Sequence, residues 1–394
     1  MKKLYLAGLI FCAGNAYAGE WLADSATQCK VWNSEAAPEL TIKWIGECKN
    51  GNANGIGLLE EFENGKPAGV TQGSYADGKR LVTEKVSITW PDGSRCEGVY
   101  LNARLTGKGI CSFPNGSRYE GVHEHGEFHG KGIFVQPDGY RYEGDYLNGK
   151  ATGRAIVTLA SGNSYVGQYL NGKRVGKGIY TWRNGAKCEG DFVDDKQHGK
   201  GICTSANGDR QEGDFLNDKL TGKCARSWVN GDKYEGECID YIEHGKGILT
   251  SVNGDIYEGE FSNGKMHGNG KLAYASGDKY EGDLVNGQMH GNGQLSYANG
   301  YKYVGEFVEG RLEGKGIATG PNGERYEGGF IDSKPIGKAN ISLLGLGRAE
   351  VNFKDGKPSG TAIITSTTGV QAAVYFENGN PVSIKAIPPA DSKP

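Results

Sequence analysis

The chain has 394 residues, 66 of them glycine, and a formal net charge of −3. This mild acidic balance argues against nucleic acid as a partner, because binding phosphates needs a basic face. Glycine is far above its usual ~7%, but it recurs at fixed positions, which indicates a repeated structure rather than a low-complexity one.

The first 18 residues have the features of a secretory signal peptide. Two lysines follow the first methionine, residues 4–12 are apolar, and Ala-Tyr-Ala stands at 16–18. The pattern predicts an N-terminal signal helix that is cleaved between Ala18 and Gly19. Its apolar stretch is far below the roughly 20 residues that span a bilayer. No later segment is more apolar, so we expect an exported, periplasmic or extracellular protein with no membrane span.

Residues 19–95 are irregular and contain four tryptophans, and we expect them to form hairpins that cap one end of the structure. From Cys96 to Arg348 the sequence then repeats every 23 residues, eleven times, without insertion or deletion. A fixed period of this length indicates an array of small units, each too small to bury a face alone. The repeats begin at Cys96, Tyr119, Tyr142, Tyr165, Cys188, Gln211, Tyr234, Tyr257, Tyr280, Tyr303 and Tyr326.

Each repeat has the pattern of a β-hairpin. Glycine occupies positions three and twelve in all eleven repeats and position twenty-one in ten. Asn-Gly pairs such as Asn253-Gly254 predict type I′ turns, in which both residues need positive φ. A second cluster, such as Asn148-Gly149, marks the other turn. The sequence therefore predicts an all-β fold, an elongated single-sheet antiparallel meander.

Period-two alternation assigns the first strand's residues to two faces. Odd positions hold tyrosine, glycine and a second aromatic residue, whereas even positions hold acids. If position one pairs with position sixteen, position four faces the mostly basic position thirteen. The acids and bases then form a solvated ladder of weak pairs. The aromatic residues either pack on neighbouring repeats or line a ligand-binding face. Candidates for that face are Tyr142, Tyr146, Tyr165, Tyr169, Tyr234, Tyr257, Phe261, Tyr280, Tyr303, Phe307, Tyr326 and Phe330.

The segment Tyr257 to Gly270 resembles the MORN (membrane occupation and recognition nexus) repeat, and the resemblance covers Cys96 to Arg348. It implies an elongated, twisted β-meander used for protein association, oligomerisation or scaffolding, with lipid contact proposed for some members. It transfers no enzymatic activity. The chain departs from the pattern where Cys96, Cys188 and Gln211 replace tyrosine and Cys238 replaces phenylalanine.

Eight cysteines follow the signal segment, and the repeat register pairs six of them. Two pairs occupy positions one and sixteen of one repeat, where facing Cβ atoms lie ~4.5–5.5 Å apart. A third pair is expected to be opposed across the turn at residues 230–231, and the last two cysteines lie in the N-terminal segment. An even count with an export signal predicts four disulfides in an oxidising compartment. The pairs are Cys29–Cys48, Cys96–Cys111, Cys188–Cys203 and Cys224–Cys238.

No residue pattern indicates catalysis, a cofactor or a metal. Five histidines share position eleven, but equivalent atoms of adjacent repeats are ~9–10 Å apart, too far to share one zinc ion. They are interpreted as turn residues, with a pH-responsive stripe as the alternative. The five are His129, His198, His244, His267 and His290.

The repeat pattern fades over residues 349–386, which we expect to cap the other end, and residues 387–394 are predicted to be a disordered tail. Uniform repetition without a reactive site favours a non-enzymatic interaction scaffold that binds a protein partner or itself. The alternative is an envelope protein that binds an extended glycan or a lipid headgroup along the aromatic ladder.

Overall fold

The computed structural model describes residues 19–34, 36–82, 84–101 and 104–388. These residues form 34 strands and no helix, and neighbouring strands pair antiparallel except for a single parallel bridge between Lys30 and Asn52. The predicted all-β antiparallel meander is confirmed. The signal helix and Ala18 lie outside the described residues, so cleavage before Gly19 stays a prediction.

The chain divides into an N-terminal part, Met1–Lys196, and a C-terminal part, Gln197–Pro394. The strands of the N-terminal part are β1 (Glu20–Ala23), β2 (Lys30–Asn33), β3 (Leu40–Lys49), β4 (Asn52–Glu63), β5 (Lys66–Ala76), β6 (Lys79–Arg80), β7 (Val86–Thr89), β8 (Arg95–Leu101), β9 (Arg104–Ser112), β10 (Arg118–Glu124), β11 (Glu127–Val135), β12 (Arg141–Leu147), β13 (Lys150–Thr158), β14 (Ser164–Leu170), β15 (Lys173–Thr181) and β16 (Lys187–Val193).

The strands of the C-terminal part follow the same alternation of seven and nine residues until the repeats end. They are β17 (Lys196–Thr204), β18 (Arg210–Leu216), β19 (Lys219–Ser227), β20 (Lys233–Ile239), β21 (Ile242–Thr250), β22 (Ile256–Ser262), β23 (Lys265–Ala273), β24 (Lys279–Val285), β25 (Gln288–Ser296), β26 (Lys302–Val308), β27 (Arg311–Thr319), β28 (Arg325–Ile331), β29 (Lys334–Leu343), β30 (Gly347–Lys354), β31 (Lys357–Pro358), β32 (Gly360–Thr365), β33 (Gln371–Glu377) and β34 (Asn380–Ile387).

The two turns of each repeat differ in geometry. At positions seven and eight, Asn148 and Gly149 have φ of 49° and 73°, which is the type I′ turn expected for Asn-Gly. The Asn253-Gly254 turn is different, because only Gly254 has positive φ, at 95°. There Gly254 N–H donates to the Ser251 carbonyl at 2.9 Å, as in a type I turn followed by a glycine bulge. The type I′ prediction was therefore wrong for this turn.

A bulge changes the predicted register in the hairpin within each repeat whose strand pairing the structure describes. In the Tyr257 repeat, Gly259 faces Gly270, but the next residue, Glu260, faces His267. Position four therefore faces position eleven rather than thirteen, which corrects the prediction. The cause is Gly268 at position twelve. Its φ of 62° forms a bulge, which leaves two residues of the second strand without a facing residue on the first strand. Position thirteen instead faces position four of the next repeat, as Lys131 faces Asp145.

Hydrophobic clusters run along one face of the sheet in each part. We call this the inner face; it carries the odd positions of the first strand, and the outer face carries the even positions. In the N-terminal part, residues 29–75 form a cluster separate from the one beneath the repeats. In the first cluster the rings of Trp44 and Tyr75 meet edge to face at 4.8 Å, so the irregular N-terminal segment has a core of its own.

Candidate functional site: the two faces of the repeats

The position-one tyrosine of most repeats lies flat over a pair of glycines. A Cβ atom on Gly259 or Gly270 would collide with the Tyr257 ring. The Tyr257 hydroxyl donates to the Glu260 carbonyl at 2.8 Å, so its polar end is satisfied although the ring is buried. Glycine at position three, with glycine or alanine at position fourteen, therefore leaves the space in which the ring lies.

The second aromatic residue links adjacent repeats. Phe261 meets the Tyr257 ring of its own repeat at 5.1 Å and the Tyr234 ring of the preceding repeat at 5.0 Å, both edge to face. Such pairs contribute about 0.5–1.5 kcal/mol beyond the area they bury. The same arrangement occurs around Tyr303, whose ring meets those of Phe307 and Phe330. The aromatic ladder is therefore a packed core that connects one repeat to the next.

Ten of the twelve predicted binding-face residues are buried. Tyr142, Tyr146, Tyr165, Tyr234, Tyr257, Phe261, Tyr280, Tyr303, Phe307 and Phe330 are all at most 8% exposed, and Tyr169 and Tyr326 are half-buried. Burial raises the pKa of Tyr257, Tyr280 and Tyr303 to about 12. Packed rings have no free face for a sugar, so the inner face as described offers no aromatic platform for a ligand.

Three cysteine pairs lie at disulfide distance. Cys29 and Cys48 have Cα atoms 5.9 Å apart, and Cys96 faces Cys111 directly with a Cα separation of 4.1 Å. Cys224 and Cys238 are 6.0 Å apart but do not face each other, since Cys224 faces Gly236 and Cys238 faces Gly222. The predicted opposition was wrong, because the register set by the turn between β19 and β20 places Cys238 diagonally from Cys224. Cys188 and Cys203 are also disulfide-bonded, and their pairing with each other stays a prediction.

Disulfides occur in the repeats that lack the position-one tyrosine. Cys96, Cys188 and Gln211 are the three non-tyrosine residues at that position. In the Gln211 repeat, Cys224 stands where the second glycine is usual, and Leu220 lies over Gly213 in the space that a tyrosine ring would fill. Cys238 stands at position five of the next repeat. The Cys224–Cys238 bond therefore links its repeat to position five of the next repeat, the position that a tyrosine contacts elsewhere.

The outer face is exposed and carries side chains in rows that cross the strands. One row alternates position-two acids with position-fifteen residues, as in Glu143 and Ile156. The next alternates position-thirteen bases with position-four residues, as in Lys177 and Asp191, whose charged atoms are 2.8 Å apart. Both bases and acids of this row are solvent-accessible, so each such pair contributes at most about 1 kcal/mol to stability.

Exposed aliphatic residues on the outer face did not enter the sequence-based interpretation. Position fifteen is isoleucine in seven repeats, and Ile156 and Ile248 are 50% and 43% exposed. Position six is also aliphatic in most repeats, with Leu147 and Leu216 52% and 50% exposed. The sequence could have shown this, because alternation assigns position six to the same face as the acids, and position fifteen faces the acid at position two. Together with the charges they give the outer face an amphipathic, repeated pattern.

Two grooves run between these outer rows. The groove of the N-terminal part has a volume of about 890 Å³ and extends from Lys85 to Val166. The groove of the C-terminal part has a volume of about 500 Å³ and extends from Lys246 to Lys271. Both have glycine backbone and outer-row side chains in their lining, so the open concave surfaces of the repeats lie on the outer face.

The position-eleven histidines do not come together. Their side chains are half-buried or exposed, and the backbone carbonyls of His267 and His290 accept hydrogen bonds from the Tyr257 and Tyr280 hydroxyls at 3.3 and 3.4 Å. In the part of the chain that the structure describes, no group of three or more His, Cys, Asp or Glu side chains could hold a metal ion. The same residues contain no helix long and apolar enough to cross a bilayer.

Solved structures with some likeness to this chain have low identities and low TM-scores. The Drosophila melanogaster SAS-4 (dCPAP) TCP domain in complex with a proline-rich motif of Ana2 shares 16% identity, covering 41% of this chain and 88% of that chain, with a TM-score of 0.22. The wild-type TCP10 domain of Danio rerio CPAP shares 10%, covering 63% and 94%, with a TM-score of 0.17. A streptogramin B lyase shares 13%, covering 71% and 94%, with a TM-score of 0.13. These scores are too low to carry an argument about function.

Sequence comparison gives a clearer result. No curated protein matches the chain. The sequence model of the MORN repeat matches ten consecutive segments, at residues 96–118, 119–139, 142–164, 165–187, 188–210, 212–233, 234–256, 257–279, 280–300 and 303–325. These segments follow the 23-residue register and cover more than half of the chain. The chain belongs to the MORN repeat family.

Proposed function

We propose that this protein is an exported, non-enzymatic interaction scaffold that presents the repeated outer face to a protein partner or to another copy of itself. The observation that carries the proposal is the contrast in burial between the faces. Aromatic residues of the inner face are buried by packing. On the outer face, charged residues recur in every repeat and aliphatic residues in most, and both remain accessible. MORN repeats fit a scaffold of this kind.

Disulfide bonds support an oxidising compartment. All eight cysteines of the described residues are disulfide-bonded, and structural disulfides persist in exported proteins and are rare in the cytosol. Together with the signal-like residues 1–18, this supports a proposed location in the periplasm or outside the cell.

The alternative function, binding of an envelope glycan or a lipid headgroup along the aromatic ladder, has less support. Stacking on a sugar requires an accessible ring face, and Tyr257, Phe261 and Tyr280 are 2%, 4% and 1% exposed. A ligand could stack on these rings only if adjacent repeats separated, which would break the aromatic contacts that join them.

The proposal is tested by cross-linked capture from the envelope of the exporting cell, comparing two variants with the natural chain. The outer-face variant carries Lys131→Ala, Lys177→Ala and Ile156→Ala, and the matched control carries substitutions at the exposed loop residues Val229 and Val252. We expect a partner that the natural chain and the control capture and that the outer-face variant loses, with all three chains folded by circular dichroism. A partner retained by the outer-face variant, or capture of glycan or lipid alone, would contradict the proposal.

A further inference from the structure

The outer groove of the N-terminal part combines basic and aliphatic side chains in a repeated order. Its lining includes the exposed cations Lys85, Lys108 and Arg154 and the isoleucines at 110, 133 and 156. Each repeat contributes one cation and one isoleucine, so the groove offers the same pair of contacts at every step along its length.

Two cations of this groove face no acid across the strands. Lys131 pairs with Asp145 at 2.7 Å, but Lys108 faces Val122 and Arg154 faces Gln168 across the strands. Among the described residues, neither Lys108 nor Arg154 belongs to an ion pair.

The groove of the C-terminal part is different. There Lys246 faces Glu260, and the Lys271 ammonium lies 3.1 Å from the Glu281 carboxylate. The lining of the N-terminal groove also includes Glu97, Glu120 and Glu143, so it has four cations and three carboxylates, whereas the lining of the C-terminal groove has two of each. The N-terminal groove therefore has the excess of positive charge, at the cations that face no acid.

The spacing of these cations matches one regular chain conformation. Equivalent residues of adjacent repeats are two strands apart, or about 9.5 Å. A polyproline II helix rises about 9.3 Å every three residues and presents the same side of each triplet at that interval. Lys108 and Arg154 are two repeats apart, about 19 Å, which equals about six residues of polyproline II. A β-strand has a period of two residues and does not keep this register.

We propose that the N-terminal outer groove binds an acidic, proline-rich segment of a partner protein in polyproline II conformation, lying across the strands. One carboxylate per triplet faces the row of cations that contains Lys108 and Arg154, and the proline rings lie against Ile110, Ile133 and Ile156. This inference rests on the proposed scaffold function and specifies the kind of partner. Because proline-rich segments are already extended, little conformational entropy is lost when they bind.

The proposal is tested with a fluorescein-labelled peptide of four Pro-Pro-Glu triplets and the full exported chain. Its twelve residues extend about 37 Å, close to the roughly 34 Å from β7 to β14. One control peptide has the same composition in an order that breaks the three-residue period, and a second has four Gly-Gly-Glu triplets. We expect fluorescence anisotropy to show binding of the Pro-Pro-Glu peptide at least about tenfold tighter than either control.

Matched variants of the protein locate the site. Lys108→Glu with Arg154→Glu should weaken binding of the Pro-Pro-Glu peptide at least about tenfold, since like charges then face each other. Lys246→Glu, in the charge-compensated C-terminal groove, should change it less than about twofold. Circular dichroism and thermal melts confirm that the exposed substitutions leave the fold intact.

Equal binding of the three peptides would overturn the proposal, because charge alone would then explain the affinity. Unchanged binding to the double variant would overturn it as well, as would no binding of the peptide at all. None of these results bears on the scaffold function itself, since capture of a partner through other outer-face residues would still be observed in the cross-linking experiment.

Discussion

The inner and outer faces of the same hairpins differ in what their side chains can do. On the inner face, the Tyr257 ring is 2% exposed and satisfies its hydroxyl within its own repeat. On the outer face, the side chains of Lys271 and Glu281 are 64% and 59% exposed. The difference shows that the aromatic residues, whose sequence pattern resembles that of a binding surface, pack together and join adjacent repeats. Substitutions on the two faces should therefore have separate effects, on stability and on binding.

The largest effect on the inner face should come from alkaline pH, because several buried tyrosines respond together. Burial raises the folded-state pKa of Tyr165, Tyr234, Tyr257, Tyr280 and Tyr303 to about 12, against about 10 for an exposed phenol. A raised pKa means that the neutral form is favoured in the folded state. Its contribution to stability is fully present below pH about 10 and is lost as pH rises to about 12.

Urea unfolding midpoints measured across this pH range, with tyrosinate absorbance as a second probe, check this prediction. The midpoint should stay level up to pH about 10 and then fall steeply. Ionisation of all tyrosines near pH 10 without unfolding would show that the inner face is open to solvent.

Removing one inner ring should have the next largest effect. Tyr257→Ala deletes a fully buried aromatic side chain and should lower the free energy of unfolding by about 3–5 kcal/mol. Tyr301→Ala is the matched control, because Tyr301 is 52% exposed and its loss should change stability by less than about 0.5 kcal/mol. Chemical denaturation of both variants distinguishes them, and equal values would remove the distinction between buried and exposed tyrosines.

Breaking the Cys224–Cys238 link tests whether a disulfide replaces the tyrosine contact. Cys224→Ser with Cys238→Ser should lower stability by about 3 kcal/mol, the loop-closure entropy for a loop of this length. Restoring the common pattern with Gln211→Tyr, Leu220→Met, Cys224→Gly and Cys238→Phe should recover about 2 kcal/mol of this loss, because a buried aromatic side chain returns. Leu220→Met is included because Leu220 fills the ring's space. If the restored variant were no more stable than the double serine variant, the two links would not be equivalent.

The smallest effect should come from the outer face. Lys271→Ala removes the 3.1 Å pair with Glu281, both of them mostly exposed, and should change the free energy of unfolding by at most about 0.5 kcal/mol. Denaturation in low and high salt checks this, with Tyr257→Ala measured alongside. A loss as large as that of the inner-face variant would mean that the outer rows stabilise the fold and are not reserved for binding.

Much of the fold could be predicted from the sequence, because the 23-residue period and the turn glycines determine the hairpins directly. The direct opposition of Cys96 and Cys111 also follows from pairing positions one and sixteen. The register beyond position three could not be predicted, since glycines such as Gly268 occur both in turns and in bulges. In the structure Gly268 and its equivalents form bulges with positive φ, so position four does not face position thirteen of its own repeat and the charge pairs lie between repeats. The turn between β19 and β20 separately places Cys238 diagonally from Cys224.

The candidate site was predicted less well than the fold. Alternation identified two faces but did not show that Gly259 and Gly270 make space for the Tyr257 ring, so the sequence left open whether the aromatic ladder packs on neighbouring repeats or lines a binding face. Whether an aromatic stripe is covered depends on how side chains from adjacent strands pack over it, and alternation within a single strand does not contain that information. The uncompensated cations Lys108 and Arg154 became visible only once the bulge had set which residues face them.

Tyrosine accessibility in solution tests the central claim, that the inner aromatic face is closed and the outer face is open. Hydroxyl-radical footprinting of the folded, oxidised protein, with modified residues located by mass spectrometry, measures each ring separately. The account predicts modification of Tyr297, Tyr301 and Tyr375, which are 42%, 52% and 46% exposed, under conditions that leave Tyr234, Tyr257, Tyr280 and Tyr303 unmodified. Modification of the position-one tyrosines at the same rate as these three would contradict it.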